Sequence, residues 1–326
     1  MSRPTDRPVG RGREIELLSA ALDSGAHVVL EGPPGTGKST LLRAVAADQD
    51  VPFLFVEGNA ELTPARLVGH FDPARVLADG YTEEIFVDGP LVAALRSGGL
   101  LYVEELNRVP EETLNVLITV MSEGELHVPR LGRIEASSGF RMVAAMNPFD
   151  AVGTARISAA VYDRTCRIAM GYQSAEDERS IVDRHGAPVP DEWRVKVVEL
   201  TRRTREHGDV RIGSSVRGAI DLARVASALA KSRGHEVTDW YVGADAALVA
   251  LSGRIRLAES CTRPPEDVVR ELYEQVFGPP PREESDDGRR GDDAGELPAR
   301  SGTAERAATH ESDPRGRATA PSRAAT

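Results

Sequence analysis

Residues 27–40 read HVVLEGPPGTGKST, an apolar β-rich run that stops at Glu31 and passes straight into a glycine-rich loop. The loop fits G-x-x-x-x-G-K-[S/T] at every required position, through Gly32, Pro33, Pro34, Gly35, Thr36, Gly37, Lys38, Ser39 and Thr40. Its glycines let backbone N–H groups close around phosphate oxygens, and a helix starting at the lysine turns its positive end to the same point. Lys38 is then in reach of the β- and γ-phosphates of a nucleotide, and the Ser39 hydroxyl is placed for Mg²⁺. A chance glycine turn needs neither the strand before it nor the helical pattern after it.

Four more short apolar runs lie around this one: PFLFV at 52–56, LLYV at 100–103, RMVAAM at 141–146 and CRIAM at 166–170. Continuous apolar strands separated by helical patterns indicate an α/β fold, a parallel five-stranded sheet covered on both faces. Two stretches break the alternation. Residues 75–91 hold strand-like pieces around Asp79-Gly80, and residues 127–138 read as a hairpin turning near Leu131-Gly132. After Gly171 helical signals take over. Ser174 and Asp177 read as a capping box, and amphipathic patterns follow at 191–207, 214–232, 239–259 and 265–277. The expected organisation is an α/β nucleotide-binding domain over 1–171, a small all-α lid over 172–278 and a disordered tail over 279–326, where Leu297 is the only large apolar residue.

Further chemistry clusters at the strand ends. LLYV runs into Glu104 and Glu105, the paired carboxylates that a nucleotide hydrolase needs beside its phosphate loop. Glu104 is read as holding Mg²⁺ through its waters and Glu105 as the general base. Asn147 follows the run at 141–146, and a strand next to the loop strand would bring its amide near the γ-phosphate. Arg164 stands just before the last strand, poorly placed for its own nucleotide but suited to stabilising transition-state charge in a neighbouring subunit. Arg217 falls on the first turn of a lid helix, where it can face a phosphate.

Composition narrows the remaining classes. With 40% hydrophobic and 28% charged residues the chain can build an ordinary core. A net charge of −11 argues against a sequence-independent nucleic-acid binder. No apolar run approaches the ~18 residues of a membrane span, and residues 1–12 lack a signal-peptide apolar region. Cys166 and Cys261 are far apart without ligand-like neighbours, which fits a reduced cytoplasm, and the histidines show no ligand spacing. No metal beyond Mg²⁺ is expected.

GPPGTGKST, LLYVEELNRVPEETLNVLITVMSEGEL, AAMNPFDAVGTARISAAVYDR and GSSVRGAIDLARVASALA occur in one order over about residues 9–278. In this the chain resembles the MoxR-type, dynein-related AAA+ ATPases. The resemblance implies ATP and Mg²⁺ as ligands, Asn147 as the sensor-one residue, Arg164 as the arginine finger, ahead of Arg156, and Arg217 as the sensor-two arginine. It also implies that Val9 and Gly10 close over the adenine, and that 75–91 and 127–138 are the helix-two insert and pre-sensor hairpin of this branch. A homo-oligomeric ring, with six subunits favoured, and a protein client, a von Willebrand factor A-domain protein among them, follow in the same way. One departure is Glu104, where the family usually has Asp. The function expected is chaperone-like remodelling or assembly driven by ATP hydrolysis; the alternative is a nucleotide-gated binding scaffold with little turnover.

Overall fold

The apolar runs form strands, and the helical patterns between them pack on both sides. In chain order the first part holds α1 (Gly12–Asp23), β1 (His27–Glu31), α2 (Lys38–Gln49), β2 (Phe53–Glu57), α3 (Pro64–Val68), β3 (Gly69–Phe71), α4 (Pro73–Asp79), β4 (Phe86–Asp88), α5 (Pro90–Ser97) and β5 (Leu100–Glu104). It continues through α6 (Glu111–Glu123), β6 (Glu125–Val128), β7 (Gly132–Glu135), β8 (Arg141–Met146), α7 (Ala159–Asp163) and β9 (Thr165–Ala169). This computed structural model describes residues 7–148 and 158–281. Arg156 and the chain beyond Pro281 therefore lie outside the described residues.

The strands lie in the order β2-β5-β8-β1-β9, and every neighbouring pair is parallel. Successive side chains point to opposite faces, so both faces need apolar cover. Val28 and Leu30, with Leu100, Tyr102, Val143 and Ala145, pack under α1 and α2 against Leu18, Leu41 and Leu42. Val29, Leu101, Val103, Met142 and Ala144 face the other way, onto Leu91, Leu95, Leu114 and Leu117 of α5 and α6. This is why the strands read as unbroken apolar runs rather than alternating ones.

The two interruptions become small hairpins on the α5–α6 side. β6 pairs with β7 as expected, with Val128 opposite Gly132. The other differs in detail: β3 pairs antiparallel with β4, and the segment read as strand-like around Asp79-Gly80 is the end of α4. Asp72 decides this locally, since its carboxylate accepts from Ala74 N–H while Pro73 begins the helix.

The later part is helical: α8 (Ala175–His185), α9 (Asp191–Arg203), α10 (Val216–Arg233), α11 (Trp240–Leu251) and α12 (Pro265–Phe277). It has its own core, built around Trp193, Val197, Leu222, Ala246 and Leu272. Ser174 caps α8 as expected, accepting from Asp177 N–H at 3.1 Å. Two findings depart from the sequence reading. α11 stops at Leu251 instead of running to 259, and β10 (Val210–Ile212) pairs with β11 (Arg256–Leu257). Strands of two or three residues carry no readable alternation.

One half-buried group makes the fold sensitive to acid. His27 Nδ1 accepts from Met142 N–H at 2.9 Å, which ties β1 to β8. Burial first, and then the Arg141 charge, lower its pKa from 6.5 to about 4. The unfolded chain thus takes a proton below pH 6.5 that the folded chain refuses until about pH 4. Stability is lost as pH falls through that window, by about 3 kcal/mol at most. His27→Asn keeps an acceptor for Met142 N–H but cannot titrate. Urea midpoints of the variant should fall less steeply than those of the unaltered protein between pH 6.5 and 4.5.

Candidate active site

Because the sheet is parallel, the C-terminal ends of β1, β5 and β8 lie on one edge, and with them the loop at 32–37, Glu104 and Asn147. Gly32 leaves β1 against β9: a Cβ there would lie 2.1 Å from the Met170 carbonyl oxygen. Gly35 (φ +74°) passes as closely under the helical part, with a would-be Cβ 2.2 Å from Ser215 Oγ. Gly37 sits at the N-cap of α2 in the left-handed region, φ 86°, and gives the helix no side-chain cap. Thr36 is fully buried and donates its hydroxyl to the Pro33 carbonyl at 3.0 Å. Lys38 Nζ donates to the carbonyls of Gly32 and Pro33 at 2.8 and 2.9 Å. Desolvation lowers its pKa to about 8, against the opposing pull of Glu104 and with Arg217 and Arg11 pushing the same way as burial.

Ser39 Oγ donates to Glu104 Oε1 at 2.7 Å and lies 3.1 Å from the Tyr102 hydroxyl, whose own ionisation burial pushes up. A hydroxyl and a carboxylate oxygen side by side at the phosphate end suit a hard cation such as Mg²⁺. Among the described residues no three His, Cys, Asp or Glu side chains group as a metal cage, so phosphate oxygens and water would complete such a shell. The donor set fits the ion. Glu105 takes a left-handed backbone (φ 52°), unusual for a residue with a side chain, which ends β5 abruptly and starts a short turn. Its carboxylate pairs with Arg108 Nε at 2.9 Å. Gly58 lets β2 come this close: a Cβ there would meet the Glu105 and Glu104 carbonyl oxygens at 2.5 and 2.7 Å.

These groups line one cleft of about 420 Å³ shared by Pro34, Lys38, Ser39, Thr40, Glu104, Glu105, Asn147 and Arg217. A smaller hollow of about 260 Å³ adjoins it, with Val9, Ile181, Val216 and Ile220 as apolar walls. Gly10 (φ +69°) packs so closely on α8 that a Cβ would fall 2.4 Å from the Asp177 carboxylate. Arg164 is not in the cleft. It precedes β9, which runs parallel to β1, so it stands at the opposite strand edge, about 16 Å away at ~3.3 Å per residue. There it bonds Ser122 Oγ and the Ala160 carbonyl.

Several side chains at the site carry no motif. Arg11 is buried and donates to the Thr36 carbonyl at 2.8 Å and to the Gly171 carbonyl at 2.6 Å. Tyr102, Arg254 and Arg256 also reach the site, from a core strand and from the segment around β11. Tyr102 lies inside the apolar run at 100–103, and nothing local pointed to the arginines.

The close approach at Gly32 sets a test. Gly32→Ala should lower stability by about 1–3 kcal/mol, because the backbone carbonyl it meets cannot swing aside. Gly12→Ala, with open space around it, should stay within about 0.5 kcal/mol of the unaltered protein. Thermal unfolding of the two variants checks the contrast.

Residues 27–165 match the model of the AAA domain, dynein-related subfamily. The gas vesicle ATPase GvpN of Haloferax mediterranei is 31% identical over 209 residues, covering 59% of this chain and 60% of that protein. The match thus spans less than two thirds of that relative's length. An uncharacterised Staphylococcus aureus protein is 30% identical over 209 residues, covering 62% of this chain and 79% of its own length. In fold, a Thermotoga maritima RuvB variant superposes with a TM-score of 0.50 at 17% identity, covering 75% of this chain and 72% of that one. The matched span encloses the phosphate loop, the acidic pair, Asn147 and Arg164, and the sheet order carries them to the places described, so the chain belongs to the dynein-related subfamily of the AAA domain family.

Proposed function

We propose that the protein binds ATP with Mg²⁺ and hydrolyses it to ADP and phosphate, using the cycle to remodel or assemble a partner protein. One observation carries the reading: Lys38, the Ser39–Glu104 pair, Glu105, Asn147 and Arg217 line a single cleft. The adenine lies in the apolar hollow beside Val9 and Gly10, and the phosphates follow the loop from Gly32 to Thr40. Lys38 and Arg217 supply positive charge to the β- and γ-phosphates. Ser39 and Glu104 hold Mg²⁺, which when bound neutralises phosphate oxygens. Glu105 accepts a proton from the attacking water as its oxygen bonds to the γ-phosphorus, and the bond to the bridging oxygen of ADP breaks. Asn147 orients that water. The direct 2.7 Å contact between Ser39 and Glu104 supports the longer carboxylate as a working substitute for Asp.

The remaining readings rest on this one. Residues 1–171 act as the nucleotide-binding domain and 172–278 as its lid. Arg164, at the far strand edge, serves the site of a neighbour in a homo-oligomeric ring, six subunits being the favoured size. The client is a protein, with a von Willebrand factor A-domain protein as the first to test, and the setting is cytoplasmic. No helix among the described residues is long and apolar enough to cross a membrane. The acidic chain argues against nucleic acid as the partner.

Two experiments test the proposal. Lys38→Ala should lose ATP affinity, whereas Glu105→Gln should bind ATP and turn it over ~10²–10⁴-fold more slowly, since only the base is gone. Wild-type turnover in Glu105→Gln would refute the assignment of that residue, and negligible turnover by the unaltered protein would favour the binding scaffold instead. Arg164→Ala should bind ATP and hydrolyse it ~10³–10⁵-fold more slowly. Mixed with Lys38→Ala subunits it should regain activity, because some interfaces then pair an intact loop with an intact finger. Co-assembled mixtures as inactive as either parent would exclude a shared site.

A further inference from the structure

Behind the cleft lies a buried charged joint that none of the motifs contains. Glu178, on α8, is 1% exposed and pairs with two arginines, Arg202 at 3.1 Å and Arg205 at 2.7 Å. A carboxylate so buried is tolerable only because two cations surround it, Arg202 with a hydrogen bond to one oxygen and Arg205 as an ion pair with the other. Each arginine also grips backbone. Arg202 Nη1 donates to the Gln173 carbonyl at 3.0 Å, in the segment that leaves the sheet. Arg205 lies over the Tyr172 ring, 3.9 Å from its centre, and donates Nε–H to the Ser214 carbonyl at 2.7 Å. Ser214 is held from its other side, its N–H donating to Thr204 Oγ1 at 2.9 Å.

Ser214 opens the turn that carries Ser215 and Arg217. Ser215 Oγ lies 2.2 Å from where a Gly35 Cβ would be, and Arg217 Cδ 3.6 Å from it, so this turn is seated on the phosphate loop itself. The planar guanidinium of Arg205 therefore fixes three things together: the buried carboxylate, the segment leaving the sheet and the arginine-bearing turn.

We propose that Glu178 and Arg205 are positioning residues for Arg217, setting where its guanidinium meets the nucleotide phosphates. The inference rests on the nucleotide reading above. Arg205→Lys keeps a cation for Glu178 but lacks a fork able to pair with it and hold the Ser214 carbonyl at once. The dissociation constant of a non-hydrolysable ATP analogue is measured for the unaltered protein, Arg205→Lys, Arg217→Ala and the double variant. Arg205→Lys should weaken binding about tenfold, and in the Arg217→Ala background it should add no further loss. Glu178→Gln should behave in the same way. Binding by Arg205→Lys equal to the unaltered protein, or losses that multiply in the double variant, would overturn the proposal, since a merely structural role would act without Arg217. If Arg205→Lys does not fold, Tyr172→Leu enters the same cycle with the same expected and refuting outcomes. Absence of analogue binding by the unaltered protein would instead strike the nucleotide reading.

Discussion

Five parallel strands share one edge at which all their C-termini emerge, and the arrangement of the site depends on that constraint. β1 sits between β8 and β9, so the loop leaving β1 is flanked by the ends of both. Asn147 on one side and the segment after Met170 on the other are then neighbours without any direct bond being required. Glu104 arrives one strand further on, where Ser39, at the start of α2, can reach it. The same parallelism sends Arg164 to the other edge. A residue's place before or after its strand thus decides whether it serves its own cleft or faces away from it.

The charge distribution is local rather than global. The chain is acidic overall, yet Lys38, Arg108, Arg217, Arg254 and Arg256 line one cleft. Such a cleft concentrates a polyanion between low-dielectric walls while the outer surface repels other acidic molecules. Burial of Lys38 contributes to this, because a cation stripped of water interacts more strongly with an incoming phosphate than a solvated one.

What the sequence disclosed and what it hid divide along a physical line. The loop at 32–40, the acidic pair and the capped start of α8 are local patterns whose meaning needs only neighbours in the chain. The central strands β1, β5 and β8 were readable because both faces are buried, which leaves unbroken apolar runs, whereas β2 and β9 at the sheet edges keep exposed positions. α4 was missed because strand-formers around it outweighed the Asp72-Pro73 start signal. The contacts of Arg11, Arg205, Arg254 and Arg256 were invisible for a different reason. Arginine is the chain's default cation, so one that grips a carbonyl reads like one on the surface. Gly58 gave no sign either, since its importance lies in the approach of a strand more than forty residues away.

The glycine that begins α2 has a thermodynamic consequence. A helix leaves its first amides without partners inside it, and a capping side chain normally accepts from one of them. Gly37 has no such side chain, so an anion held by the loop also serves as the terminal acceptor of α2. Ligand binding and the integrity of the helix then form one equilibrium. Whatever phosphate-bearing ligand occupies the loop lengthens the life of the first helical turn, and its release leaves that turn the most readily frayed part of the helix.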